Sequence, residues 1–220
     1  MKVQTEAGLQ AGSPSARGPA YPASLKRAAR LFERNMTVYR KGWMVIFSGF
    51  FEPIFFLLGV GYGIGSMVGE VNTGGQTIPF AAFVAPGMLA ASCMNGAITD
   101  GFFNVFFKLN FQGTYEGILA TPMGVRDVAL GEMLWAQFRG VLYAAGFLVV
   151  MAVLGLTQSW WAMVALPAAF LVSLAFAAMA IAITSFASKI QHLDTVMGFI
   201  VMPLFLLSGT FFPILSLIHI

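Results

Sequence analysis

Hydrophobic positions along the chain gather into long runs separated by short polar stretches. The runs cover roughly 43–68, 80–107, 128–156, 160–186 and 195–214, the third becoming continuously apolar only from Gly140. Each approaches or exceeds the ~20 residues a helix needs to cross a bilayer core about 30 Å thick. Barrel strands would instead alternate over ~10 residues. A lone apolar segment satisfies its backbone in lipid only as a helix. The pattern therefore predicts an all-α polytopic membrane protein with five visible spans and a transmembrane domain over 43–214.

Two stretches precede the first span. Residues 1–23 hold Gly8, Gly12, Pro14, Gly18, Pro19 and Pro22 without an apolar period, and are expected to be a disordered tail. At Ser24, a good N-cap residue, a helical period begins. Leu25, Ala28, Phe32, Met36, Tyr39 and Trp43 share one face, and Lys26, Arg27, Arg30, Arg34, Arg40 and Lys41 the other. Segment 24–42 is expected to be a basic amphipathic helix lying on membrane lipid. Packing on another protein face is the alternative.

Composition sharpens this picture. The chain is 58% hydrophobic and 10% charged, against about 45–50% and about 25% in soluble domains. That excludes a disordered chain, a nucleic-acid-binding domain and an ordinary soluble enzyme. The net charge of +3 is unevenly spread: Lys2, Arg17 and the six cations of the amphipathic helix all precede Gly42. Loops 70–79 and 156–159 have no Lys or Arg, whereas 108–126 and 187–194 do. This asymmetry predicts a cytoplasmic N-terminus, with Trp43 at the inner interface and Trp160 and Trp161 at the outer one.

Little in the chain supports catalysis. Cys93 is the single cysteine, and His192 and His219 are the only histidines. Neither a disulfide nor a metal cluster is expected. No Gly-Lys-Ser/Thr and no Gly-x-Ser-x-Gly occurs, so P-loop and serine-nucleophile chemistry are excluded. Gly59, Gly61, Gly63 and Gly65 lie inside a span with no strand before them, which favours close helix contact over dinucleotide binding.

The ionisable residues within the spans are the candidate functional groups. Glu52, followed by Pro53, lies about 13 Å from Trp43 at helical rise. A charge at the centre of a span costs about 2.5–3.5 kcal/mol on insertion scales. Two readings stand: a polar group on a substrate path or gate, or a carboxyl paired with another span beside a Pro53 kink. Asp100, Glu132 and Arg139 lie in the cytoplasmic halves of spans two and three. Glu132 and Arg139 are two turns apart, so the expected partner of Arg139 is Asp100. An ion path through Glu52, Asp100 and Arg139 would make a stand-alone secondary transporter or channel. Sparse charges and the lack of an internal repeat weigh against it.

Four stretches carry a family resemblance: Glu52-Pro53 with Gly59–Gly65; Gly113-Thr114-Tyr115-Glu116-Gly117-Ile118-Leu119 ending in Thr121-Pro122; Asp127–Arg139; and Met202–Pro213 with Pro203, Ser208-Gly209 and Phe211-Phe212-Pro213. Over 25–214 the chain resembles a type-2 ATP-binding-cassette (ABC) exporter permease. It is most similar to permeases of nodulation lipo-oligosaccharide export and daunorubicin-type drug resistance. The resemblance implies a transport subunit of the bacterial cytoplasmic membrane, not an enzyme by itself. Its partners would be a separate ATPase holding ATP and Mg, and a second permease chain in a homodimer. Gly113, Thr114, Glu116, Thr121 and Pro122 would form the segment that receives the ATPase motion. Pro203, Ser208, Gly209, Phe211 and Phe212 would lie at a re-entrant turn. The family has six spans, whereas five are visible here. The C-terminus is expected to be truncated, with 215–220, similar to a sequencing-adapter read-through, not native.

Overall fold

The elements follow from where apolar runs must satisfy their backbone and from where small residues let helices meet. In the computed structural model the described residues are 24–41, 44, 51–73, 76–157 and 160–211. The expected tail 1–23, Phe212 and segment 215–220 lie outside them. Helix α1 is Leu25–Lys41. Helix α2 (residues 51–68) begins as Phe51–Phe56, widens into a π-helical stretch, Leu57–Ile64, and closes with Gly65–Val68. An antiparallel hairpin follows, β1 (Glu70–Thr73) with β2 (Gln76–Pro79), pairing Glu70 with Pro79 and Val71 with Ile78.

The long helices come next. They are α3 (Phe80–Asn110), the short α4 (Thr114–Leu119), α5 (Val125–Val153) and α6 (Ala165–Phe186), the last entered through a 3-10 turn at Trp160–Val164. Helix α7 (Ile190–Leu206) carries a second π stretch at Met197–Val201. The described residues thus hold three helices long and apolar enough to cross a membrane, Phe80–Asn110, Val125–Val153 and Ala162–Phe186, and two shorter apolar ones. The chain is a multi-pass, all-α membrane protein.

Boundaries differ from the apolar runs for physical reasons. Helix α5 starts at Val125, because Gly124 supplies an extended N-cap and Asp127 accepts its amide at 3.0 Å. Helix α7 starts at Ile190 rather than Thr195, five polar-rich residues earlier, because its first turns sit beside α3 with Leu193 fully buried. It ends at Leu206, short of Ile214, where the Ser208 amide turns to the carbonyl three residues back, of Phe205, and Gly209 takes φ +80°.

The core lies where α3, α5 and α6 cross. Ala169, Ser173, Ala177, Ala180 and Thr184 form a buried stripe of small residues along α6. Such stripes let backbones approach in membranes, where packing and interhelical hydrogen bonds replace the hydrophobic drive between helices. Three hydrogen bonds use that closeness. Cys93 Sγ donates to the Ala169 carbonyl at 3.0 Å, Ser173 Oγ to the Gln137 carbonyl at 2.7 Å, and Thr184 Oγ1 to the Gly101 carbonyl at 2.9 Å. Gly140 marks the tightest crossing: a Cβ there would collide with the Ser173 hydroxyl and stand 2.7 Å from the Cys93 carbonyl oxygen.

Outside this core the described helices expose large apolar side chains. Phe55, Met67, Val153, Phe186, Phe199 and Leu207 are all exposed, as expected of faces turned to lipid or to other spans. Gly140→Val is expected to overpack the crossing and cost about 1–3 kcal/mol. It should lower the thermal midpoint of the detergent-solubilised protein. Gly59→Ala, whose added methyl meets nothing within 4 Å, should leave that midpoint nearly unchanged.

Candidate functional site

Three buried acids collect at the end of the bundle remote from the hairpin, and each is matched by donors from a different element. Asp127, in the first turn of α5, is fully buried. Its Oδ1 accepts the Ser24 amide at 2.7 Å, and its Oδ2 accepts Arg27 Nε at 2.6 Å as well as the Gly124 amide. It therefore caps its own helix and pins the start of α1.

Glu132, one turn further, is 1% exposed. Lys108 Nζ donates to both of its carboxylate oxygens at 2.9 Å, and Asn35 Nδ2 donates to Oε2 at 3.1 Å. Lys108 also donates to Asn35 Oδ1 at 3.1 Å. A closed triangle thus ties α1, the end of α3 and α5. Asp100 forms the third group: Arg139 Nη1 donates to its Oδ1 at 2.6 Å, and Asn104 donates from one turn away. Arg139 Nη2 donates to Tyr143 at 3.1 Å, and the guanidinium lies over the rings of Tyr39 and Tyr143 at 5.5 and 5.6 Å.

The amphipathic helix meets protein as well as solvent. Ala28, Leu31 and Asn35 are buried, Phe32 and Tyr39 are half-buried against Trp135, and Leu25 is 74% exposed. The face seated on α5 is therefore rotated from the one the period predicts. Leu31 and Asn35 replace Leu25 and Met36, because Gly131 opens a notch there. A Cβ on Gly131 would stand 2.7 Å from Leu31 Cδ2 and 3.1 Å from the Ala28 carbonyl oxygen.

Helix α4 sits beside this cluster with two unlike faces. Tyr115 is buried, and Ile118 and Leu119 pack with it against Leu31, Val105 and Val128, which belong to α1, α3 and α5. Burial first, and then the Glu132 carboxylate, raises the Tyr115 phenol well above its ordinary pKa. Its hydroxyl is near that carboxylate but makes no hydrogen bond within accepted geometry. The other face is open: Glu116 and Gly117 are exposed, as are Thr121 and Pro122 in the turn after the helix. Gly113 precedes α4 in a left-handed conformation at φ +56°. Thr114 Oγ1 donates to Gln112 Oε1 at 3.3 Å, and Thr121 Oγ1 to the Ile118 carbonyl at 2.6 Å.

The remaining candidates lie elsewhere. Glu52 and Pro53 fall in the first turns of α2; their side chains lie outside the description. Pro203 stands near the start of the last α-helical turn of α7, and Ser208 Oγ donates to the Phe205 carbonyl at 2.6 Å. The Phe211 ring meets Phe56 tilted and Phe205 edge-on, with centroids 6.0 and 5.4 Å away, which brings the turn containing Gly209 against α2. Asp100 and Arg139 meet, whereas Glu132 belongs to Lys108 and Asn35. Sequence reasoning missed those two, and also Arg27 and Asp127 as a pair. The usable signal was an acid and a base in the polar ends of adjoining spans.

The family comparison is direct. The sequence pattern of the ABC-2 type transporter matches residues 28–219. The chain belongs to the ABC-2 type transporter membrane family. Among curated relatives, Nodulation protein J of Rhizobium leguminosarum bv. trifolii is 35% identical over 185 residues, covering 84% of this chain and 69% of the relative. Nodulation protein J of Rhizobium meliloti (strain 1021) is 32% identical over 196 residues, covering 89% and 73%. The protein of that name from Bradyrhizobium diazoefficiens is 31% identical over 193 residues, covering 87% and 72%. No solved structure matches the chain. As an ABC-2 permease, the chain is a membrane transport subunit.

Removing one partner of a buried ion pair leaves an uncompensated charge, at about 3–5 kcal/mol. Lys108→Met is accordingly expected to destabilise the permease severely. Lys108→Met combined with Glu132→Leu should recover part of the loss, because no charge stays buried while the Asn35 amide loses both partners. Thermal unfolding of the single and double variants in one detergent checks the order.

Proposed function

We propose that this permease is the membrane-spanning half of an ATP-driven exporter, moving an amphipathic, drug-like or lipid-linked substrate out across the bacterial cytoplasmic membrane. A separate ATP-binding-cassette subunit supplies the hydrolysis, with ATP and Mg on that chain, and two permease chains form the pathway. The end carrying α1 and α4 faces the cytoplasm.

The two-faced α4 is the observation that carries this reading. Its exposed Glu116, with Thr121 and Pro122 in the turn that follows, offers a soluble partner a surface. Its buried edge, Tyr115, Ile118 and Leu119, is packed into one cluster with α1, α3 and α5. A push on the outer edge therefore reaches three elements at once. A rigid packed core transmits displacement in this way because its interior has little room to absorb it. The resemblance to permeases of lipo-oligosaccharide export supports a lipid-linked substrate as one candidate cargo.

An ion path through Asp100 and Arg139 is the weaker reading. The two groups neutralise each other while 0% and 6% exposed, and a relay needs groups that meet water. Glu116→Lys is expected to leave the permease folded. It should weaken ATPase co-purification or uncouple hydrolysis from transport at least about tenfold, as loss of ~1.4 kcal/mol would. Wild-type coupling in that variant, reconstituted with its ATPase, would remove α4 from this role.

A further inference from the structure

The hydroxyl of Tyr115 is the one donor at this end of the bundle that the polar triangle leaves unused. Tyr115 is 8% exposed, and its hydroxyl has no hydrogen-bond partner among the described residues. A buried donor left unmatched is costly and rare in a folded protein. The ring packs with Leu31, Val105 and Val128. Each of these lies within about a turn of one member of the triangle: Asn35 on α1, Lys108 on α3 and Glu132 on α5. The ring is thus lodged at the edge of the triangle. Burial and the nearby Glu132 carboxylate both favour the neutral phenol, so the oxygen keeps its proton and can donate it.

The triangle has room for one more donor. Glu132 Oε2 accepts from Lys108 and Asn35, whereas Oε1 accepts from Lys108 alone among the described residues. A carboxylate oxygen can take two. Nothing polar among the described residues ties α4 to its neighbours. Its six residues follow Gly113, in left-handed conformation, and lead into the turn at Thr121-Pro122. The hydrogen bonds of its side chains and of that turn are local, Thr114 to Gln112 and Thr121 to Ile118. Apolar packing seats the helix on α1, α3 and α5. We propose that Tyr115 is a positioning residue with two states: its hydroxyl is unbonded in the permease alone, and donates to Glu132 Oε1 when α4 is pressed inward. That bond competes with Lys108 for the oxygen and loosens the end of α3 from α5. Release of α4 restores the closed triangle. The inference rests on α4 being the segment that receives the ATPase motion, and names the atom that passes the motion on.

Tyr115→Phe removes the hydroxyl and keeps the ring. In the purified permease it should raise the thermal midpoint by about 2–4 °C, because an unmatched buried donor is gone. Tyr115→Leu also removes the ring packing, and should lower the midpoint. In the permease–ATPase complex, Tyr115→Phe should keep the ATPase bound, since the residue is buried. It should nonetheless shrink about tenfold the change in ATP turnover that the permease imposes on the ATPase, the factor one hydrogen bond to a charged group supplies. A residue that only filled space would give the higher midpoint without the loss of coupling. A midpoint lowered by Tyr115→Phe would mean that the hydroxyl is already bonded in the permease alone, and would overturn the proposal. Unchanged turnover in Tyr115→Phe beside uncoupling in Glu116→Lys removes the switch and leaves the exporter reading standing. Wild-type turnover in both variants removes both.

Discussion

An acid buried in an apolar bundle has to be matched by a donor of comparable strength, and that requirement organises this permease. Glu132 lies one turn above Asp127 on α5 and has no route to water. Lys108 neutralises it, and Asn35 uses both ends of its amide to complete the remaining bonds. Neither partner is local in sequence. The match therefore fixes where α3 ends, how α1 lies and which way α5 turns. Asp100 with Arg139 repeats the arrangement about two turns deeper. The pairs do not by themselves add much stability, since desolvation offsets most of their attraction. They make every alternative arrangement of these helices expensive.

Placing these charges at one end explains the length of α3. At about 1.5 Å per residue its 31 residues extend about 46 Å, well past a hydrocarbon core of about 30 Å. The excess carries Lys108 out to the level of α1 and α4. The apolar middle is left to small residues, through which α3, α5 and α6 exchange hydrogen bonds with one another's backbones. Polar work and packing are thereby segregated along the bundle. A displacement applied at α4 enters through the polar end and meets a middle that has little slack.

Spans two to four were legible because long apolar runs have one solution in lipid. The hairpin was less so: Val71 and Ile78 alternate with polar neighbours over only four residues a side, too short to outweigh a loop reading. Placing Lys108 in a loop follows from treating polarity as outward. That rule fails where polar groups satisfy each other inside. Asp100 and Arg139 occupy matching depths on neighbouring spans, so their meeting was readable. The partner of Glu132 was not, because it depended on α3 continuing as helix beyond its apolar run. The rotation of α1 was hidden for a similar reason: it follows from the absence of a side chain at Gly131, on a helix about a hundred residues away.

That separation has a temporal side. Ser24 and Asp127 are 103 residues apart, and Asn35 and Glu132 are 97 apart. During synthesis at about 5–20 residues per second, α1 waits on the order of 5–20 s before its seat on α5 exists. Lys108 precedes Glu132 by only 24 residues, so the acid meets its cation as soon as the two spans enter side by side. The early helix therefore has to be parked. On the proposed membrane-surface reading, its row of Lys and Arg gives it a resting place on anionic lipid until α5 arrives. On that reading the same cationic row acts first as a mooring during biogenesis, and only later as part of a finished permease.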